Sequence, residues 1–368
     1  MKILMLNYEY PPLGGGGASV CRNISEELAA KGNHVDVVTM GFRDLSESET
    51  INGVRVFRVK CLRSKKMVCH PWEQFSYCIS AYRYITKYLD IKGYDIIHCH
   101  FIIPTGLLAL WLKKKYYISY IVTAQGSDVL GHNNDRFRLL YKVVKPLWIH
   151  IIKNAAFLTA PSSFLKREIL ASYSEKDCVV IPNGVYAKGC SVPGKRGKYI
   201  VTLARLQKGK GIQDLISSCA KINMNGWRVE ILSDGPYREE LEKLVEQYGL
   251  KDSITFKGYV SSEERDKYLK NAGMFFSGSR FEAMPIAVLE AMDAGCKVLI
   301  SDIEPHRQLV TEEFIYKSLE DLKKKLQKCL IDTPDERKYE MDQFYWKNII
   351  EQYEDIYSQV ISNKAGEI

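Results

Sequence analysis

Hydrophobic and polar positions alternate along this chain in blocks that change period, short apolar runs giving way to longer stretches with an apolar residue every three or four positions. In the first half the runs are Lys2–Asn7, His34–Met40, Val54–Val59, Ile96–His100, Tyr120–Ala124, Phe157–Ala160 and Val179–Ile181. Each is short enough for a strand, and mostly helical segments separate them. The first such segment places Val20, Ile24 and Leu28 on one face and ends at Gly32. The pattern predicts a doubly wound α/β domain.

A stretch rich in Gly and basic residues, 183–197, reads as a linker. The pattern then resumes. Strands are expected at Tyr199–Leu203, Val229–Leu232, Ile254–Phe256, Met274–Phe276 and Lys297–Ile300, with helices from about Gly211, Tyr237, Ser262, Pro285 and Leu319. The last periodic segment, Phe344–Tyr357, is amphipathic, with Ile349, Ile350, Tyr353, Ile356 and Tyr357 on one side. Two Rossmann-like domains, 1–190 and 191–343, facing across a cleft and followed by a closing helix from 344, are the expected architecture.

Length and composition narrow the class. The 368 residues suit two domains, and a hydrophobic share of 46% is ample for two cores. No apolar run reaches membrane-spanning length, and Met1-Lys2-Ile3 passes into a strand without a signal-peptide pattern, so a cytoplasmic location is expected. The ten Cys are scattered with no C-x2-C pair, which argues against a zinc site or a disulfide framework. Charge is uneven: residues 1–190 hold 25 Lys+Arg and 15 Asp+Glu, net +10, while residues 191–368 hold 27 and 29, net −2. Nucleic acid, an anionic membrane or an acidic substrate each fits such a first half.

The segment with the most chemistry is 279–295. Glu282 precedes a helix opened by Pro285 and closed by Gly295, and Glu290 lies within it, in the spacing E-x7-E. Free N–H groups at a helix start attract anions, so two carboxylates beside them suit a ligand carrying both phosphates and hydroxyls, such as a nucleotide sugar. Taken alone, the spacing is better read as a surface Glu and a solvated helix position. Its flanks, Met274-Phe275-Phe276 and 296–302, read as the strands of a parallel βαβ unit, whose ligands bind beyond the carboxyl ends of the strands.

Other strand ends add cations and turns. Arg205 and Lys210 lie between a strand and the helix near Gly211, where they could clamp a diphosphate. Ser233-Asp234-Gly235-Pro236 ends the next strand as a turn. Gly14 to Gly17 form a turn that lets backbone approach a phosphate or sugar, but they do not fit G-x-G-x-x-G, which disfavours a nicotinamide cofactor. His98 and His100 are read as pointing to opposite faces of their strand, so that they cannot share a metal; His100, nearer the strand end, is the candidate for the cleft. Arg136, Arg138, Lys142 and Lys145 interleave with Leu, Val and Trp148, as in a helix lying on an anionic membrane or in a core-facing helix with a basic outer side.

Together these segments resemble the family-4 retaining glycosyltransferases of GT-B fold over nearly the whole chain. The resemblance rests on Glu282 and Glu290, on Arg205 with Lys210-Gly211, and on Ser233-Asp234-Gly235-Pro236. It also rests on Pro11-Pro12 with the Gly run, His98-Cys99-His100, Gly126-Ser127-Asp128, the run 181–185 and the closing helix. It implies a sugar donor bound by the second domain, an acceptor on the first, and a last helix that crosses back to the first domain. Arg205 and Lys210 would stabilise the departing diphosphate in place of a metal, Glu290 would hold the ribose and Glu282 the sugar hydroxyls. Ala283, Met284 and Pro285 would line the donor site, with Gly15 and Gly16 near the reacting centre.

The implied activity is transfer from a nucleoside diphosphate-sugar to a glycan or lipid-linked acceptor, peripheral at the inner face of the membrane. No cofactor, metal or nucleic acid is expected. Departures from the family are Gln125 where a His that contacts the donor sugar is usual, Ser233 for a usual Gly, and a shortened segment around Pro305 to Phe314. A catalytically weak binding partner of the same fold, or a nucleotide-sugar epimerase, is the alternative. A glycoside hydrolase, which also uses two carboxylates, has no need of a diphosphate clamp.

Overall fold

In the computed structural model of the chain, the described residues are 1–130, 134–189, 196–331, 334 and 336–366; for 134–142 and 364–366 the description covers backbone alone. The chain divides into two compact units, Met1–Gly184 with Trp346–Ile368, and Val185–Tyr345. Both are α/β.

The first unit holds β1 (Lys2–Leu6), α1 (Gly16–Ala30), β2 (His34–Met40), β3 (Ser48–Ile51), β4 (Val54–Val59), α2 (Pro71–Tyr88), β5 (Ile96–His100), α3 (Thr105–Tyr116), β6 (Tyr120–Thr123), α4 (Asn134–Asn154), β7 (Phe157–Ala160), α5 (Ser163–Ser172) and β8 (Val179–Val180). Its sheet runs β3-β4-β2-β1-β5-β6-β7-β8, parallel throughout except for β3 against β4. Strand order reverses between β1 and β5, which leaves a crevice at their carboxyl ends. Val20, Ile24 and Leu28 are buried, so the apolar stripe of α1 is its sheet face. The helix starts earlier than expected, at Gly16, so that only Gly14 and Gly15 of the Gly run precede it.

The second unit holds β9 (Gly197–Thr202), α6 (Ile212–Cys219), β10 (Arg228–Leu232), α7 (Arg238–Gln247), β11 (Ile254–Gly258), α8 (Ser262–Asn271), β12 (Ala272–Ser277), α9 (Ile286–Asp293), β13 (Lys297–Ser301), α10 (Glu304–Arg307), β14 (Ile315–Tyr316) and α11 (Leu319–Ile331). All of its strands are parallel, in the order β11-β10-β9-β12-β13-β14, with the reversal between β9 and β12. Local signals fix its helix ends. Ser261 caps α8, accepting from Glu264 N at 3.2 Å while Glu264 reaches back to Ser261 N at 3.0 Å. Gly295, at φ 71°, ends α9 in the left-handed conformation.

One expectation changes here. Part of the expected linker is bonded structure: Val185 N donates to Phe344 O at 2.8 Å, and Lys188 N to Asp293 Oδ2 at 3.0 Å. Residues 190–195 of that stretch lie outside the described residues. The closing helix runs Trp346–Gly366, and Ile349, Ile350, Tyr353, Ile356 and Tyr357 are all buried against the first unit's own elements. Lys31 of the first unit pairs with Glu354 at 2.9 Å, and Tyr357 Oη lies 2.7 Å from His98 Nδ1.

Candidate active site

Each sheet places its chemistry at its point of strand reversal. In the second unit the loop after β9 carries Arg205 and Lys210, and the loop after β12 carries Glu282. These loops are locked together by backbone. Arg280 N donates to Gly209 O at 2.9 Å, and Gly211, at φ 68°, lies so close to Gly278 that a Cβ there would overlap the Gly278 carbonyl oxygen. The result is a direct ion pair, Lys210 Nζ to Glu282 Oε1, at 2.6 Å, with the side chains 25% and 20% exposed.

The turn after β10 braces the same loop. Leu206 N donates to Asp234 O at 3.1 Å, and Tyr237 N to Leu206 O at 3.0 Å. A side chain at Gly235 would overlap Leu206 backbone, which is why this position takes Gly. Asp234 is occupied within the turn, accepting from Gly235 N at 2.7 Å and from Arg238 Nη1 at 3.0 Å. Ser233 is buried, and its backbone bridges to Gly258.

Glu290 sits on α9, one stretch of helix beyond Glu282, and its partner is Arg265 Nη1 of α8, 3.1 Å away. Burial raises its pKa, and the cations Arg265 and Lys188 oppose that rise. The two Glu of the E-x7-E pattern therefore have separate cationic partners. Ala283 and Met284 are half-buried in the segment leading into α9, and Pro285 is its buried N-cap. Arg205 is half-buried in the loop after β9.

One residue beside this site gave no sequence signal. His306, on the short α10 after β13, is fully buried; its Nδ1–H donates to the Ser301 carbonyl at 2.8 Å, while Nε2 has no partner among the described residues. Burial lowers its pKa, with Glu282 and Lys210 near enough to act on it in opposite directions. The sequence marked this segment only as shortened.

In the first unit the loops after β1, β5 and β6 converge in the same way. Gln125 Nε2 lies 3.0 Å from His100 Nδ1, and His100 Nε2 has no partner among the described residues. Burial pushes the His100 pKa down to about 3, so the ring is neutral. Asp128 is buried below Gln125, accepting from Ile102 N at 2.6 Å and Gln125 N at 2.9 Å, and burial lifts its pKa to about 6. Gly15 and Gly16 are exposed with open space where side chains would stand. A Cβ on Gly17 would come within 2.7 Å of the Phe101 ring, a reason for Gly there that the pattern did not reveal.

The reading of His98 and His100 as facing opposite sides is corrected. Residues two apart on a strand share a face, and the rings stack at 4.5 Å between centroids. His98 is committed to structure, with Nδ1 at Tyr357 Oη and Nε2 at Thr123 Oγ1, each 2.7 Å. Of the basic helix, Lys145 is exposed and Trp148 buried, while the side chains of Arg136, Arg138 and Lys142 lie outside the described residues.

Two family models divide the chain between them. Residues 14–188 match Glycosyltransferase Family 4, and residues 191–342 match Glycosyl transferases group 1. The chain is a group 1, family-4 glycosyltransferase.

Among its relatives, an uncharacterized glycosyltransferase of Methanocaldococcus jannaschii is 28% identical over 337 residues, covering 85% of this chain and 83% of that one. An alpha-monoglucosyldiacylglycerol synthase of Streptococcus pneumoniae is 26% identical over 362 residues, covering 91% and 79%. The solved structure of a sucrose-phosphate synthase from Thermosynechococcus elongatus superposes with a TM-score of 0.82 at 20% identity, over 98% of this chain and 99% of that one. That likeness shows a shared fold, and this glycosyltransferase has the two Rossmann-like units of GT-B.

Proposed function

We propose that this glycosyltransferase moves a sugar from a nucleoside diphosphate-sugar to a hydroxyl of a glycan or lipid-linked acceptor, with retention and without a metal. The observation that carries the reading is the Lys210–Glu282 pair at the reversal point of the second sheet, with Arg205 in the same loop as Lys210. A carboxylate and an ammonium held together there suit a ligand with hydroxyls next to phosphates.

As the bond between the anomeric carbon and the diphosphate oxygen breaks, its electron pair goes to the diphosphate. Lys210 and Arg205 stabilise that charge, Glu282 positions the sugar hydroxyls, and Glu290 positions the ribose. The acceptor oxygen forms the new bond to carbon, and its proton leaves with the diphosphate. The relationship to a monoglucosyldiacylglycerol synthase supports a lipid-linked acceptor in glycolipid or surface polysaccharide synthesis. No helix among the described residues is long and apolar enough to cross a membrane.

A second reading rests on Gln125, which fills the usual His position and is bonded to His100. It makes the chain a weakly catalytic nucleotide-sugar binder. Transfer assays with UDP-, GDP- and ADP-sugars on lipid and glycan acceptors separate the two. Turnover that is lost in Arg205→Ala, Lys210→Ala and Glu282→Ala supports transfer. Nucleotide binding without turnover supports the second reading, and turnover undiminished in all three variants refutes the site.

A further inference from the structure

Ser301, the last residue of β13, links two other buried residues of the second unit. Its hydroxyl donates to the backbone oxygen of Ser279, in the loop that carries Glu282. Its carbonyl accepts from His306 Nδ1 at 2.8 Å, and its hydroxyl oxygen lies 3.2 Å from the same nitrogen. Strands β12 and β13 are paired neighbours, which sets α10 and its His306 beside the Glu282 loop at the carboxyl edge of the sheet. Ser279, Ser301 and His306 are all buried, so the donors run one way, from His306 to Ser301 to Ser279.

A carbonyl oxygen can only accept, so the proton of the neutral ring sits on Nδ1 and Nε2 presents a lone pair. Nε2 is sealed from solvent, and no described residue donates to it. A buried acceptor in that state is costly and calls for a reason. The chemistry of its partner follows by elimination. A phosphate oxygen is itself an acceptor, which excludes the diphosphate. The charged groups near enough to act on the ring are Glu282 and Lys210; a carboxylate only accepts, and Lys210 is paired with Glu282 at 2.6 Å. On the proposed reading the ribose belongs to Glu290, which lies on α9 and pairs with Arg265 of α8. What remains beside Glu282 is a hydroxyl of the transferred sugar.

We propose that His306 Nε2 accepts a hydrogen bond from a hydroxyl of the donor sugar next to Glu282, which makes His306 a specificity-determining residue of this glycosyltransferase. The inference rests on the nucleoside diphosphate-sugar reading given above. Because Nε2 is sealed, the hydroxyl reaches it as the ligand draws Lys210 and Glu282 apart. Glu282 and His306 then offer two acceptors and no donor of their own, so they select a sugar with a free hydroxyl facing each. A sugar that lacks the hydroxyl facing His306 leaves Nε2 unpaired and is rejected for that reason.

The test is calorimetric titration of the full chain, as wild type, His306→Asn and His306→Gln, with UDP-, GDP- and ADP-sugars and with UDP, GDP and ADP alone. Asn keeps an amide N–H near the position of Nδ1 and so the bond to Ser301, but has nothing at Nε2; Gln carries its amide oxygen out to the position of Nε2. For the sugar nucleotide that the wild type binds, His306→Asn is expected to lose about tenfold in affinity, and no more than about twofold for the matching diphosphate. His306→Gln recovers most of the loss. Among deoxy analogues of that sugar, one is bound about tenfold more weakly than its parent by the wild type and equally well by His306→Asn, since hydroxyl and ring form a single interaction. Melting temperatures show that the variants are folded. A purely structural His306 gives the reverse order, Asn like the wild type and Gln impaired. That order, an equal loss for diphosphate and sugar nucleotide, or a deoxy penalty that persists in His306→Asn overturns the proposal while leaving the donor reading intact. A wild type that binds no sugar nucleotide overturns both.

Discussion

Lys210 and Glu282, 72 residues apart in sequence, meet in a 2.6 Å ion pair because the strands that carry their loops, β9 and β12, are neighbours at the reversal of a parallel sheet. Each neutralises the other. On the proposed reading a diphosphate-sugar would draw Lys210 to its phosphates and Glu282 to its hydroxyls.

Removing either partner should therefore harm turnover far more than stability. A pair that is about a quarter exposed contributes on the order of 1 kcal/mol or less to folding. Loss of a group that stabilises developing charge costs about 100- to 1000-fold in rate. Lys210→Ala is expected to lose turnover on that scale while its melting temperature moves by a few degrees at most. Parallel kinetics and thermal melts check this, and a melt that collapses along with activity would make the pair structural.

Gly211 is the close backbone contact of the same arrangement. Alanine there meets a positive φ, which costs about 1–2 kcal/mol, and an overlap with Gly278 carbonyl, which adds about 1–3 kcal/mol. Gly211→Ala should destabilise the second unit by about 2–5 kcal/mol in denaturant titration. An Ala variant of wild-type stability would mean that the loops separate easily.

Gln125 supports His100 in the first unit. His100 Nε2 already has no partner among the described residues, so Gln125→Leu leaves the buried ring without one there. The expected loss is about 1–3 kcal/mol of stability. Gln125→His, which can still bond to Nδ1, should recover most of it. Equal stability of the Leu and His variants would show that the 3.0 Å contact carries no weight.

Acid should weaken the first unit through its histidines. Burial lowers the pKa of His98 and brings that of His100 to about 3, below the ordinary value near 6.5. Their contribution is complete above pH 6.5 and falls as pH drops toward 3, by about 2 kcal/mol for His100 at pH 5. Asp128, raised to about 6, acts the other way and adds stability as pH falls from 6 toward 4. Denaturant titrations at pH 7 and pH 5 on the wild type and on His100→Gln isolate the histidine: the variant should show the smaller acid loss.

Much of this was legible because it is local. The strand runs of both units were read to within a few residues, since a parallel strand buried on both faces is written as a continuous apolar run. Strands β3 and β14 were not, because Ser48–Ile51 is a short and mostly polar edge and Ile315–Tyr316 is an edge of only two residues. The Arg205, Lys210, Glu282 and Glu290 positions were readable as strand-end and helix-end chemistry. The partner of Glu290 was not, since Arg265 comes from a separate helix with no motif of its own, and neither was His306 on α10.

The sequence by itself determined the α/β class, the order of strands and helices, the helix stops at glycine and the resemblance that named the family, because each is written in neighbouring residues. Tertiary structure decided which charges meet. It paired Lys210 with Glu282 and Glu290 with Arg265, set Gln125 against His100, and stacked His98 on His100 beneath the closing helix. Strand order in a sheet brings distant loops within bonding distance, and that order is settled by packing over the whole unit, which no single stretch of sequence records.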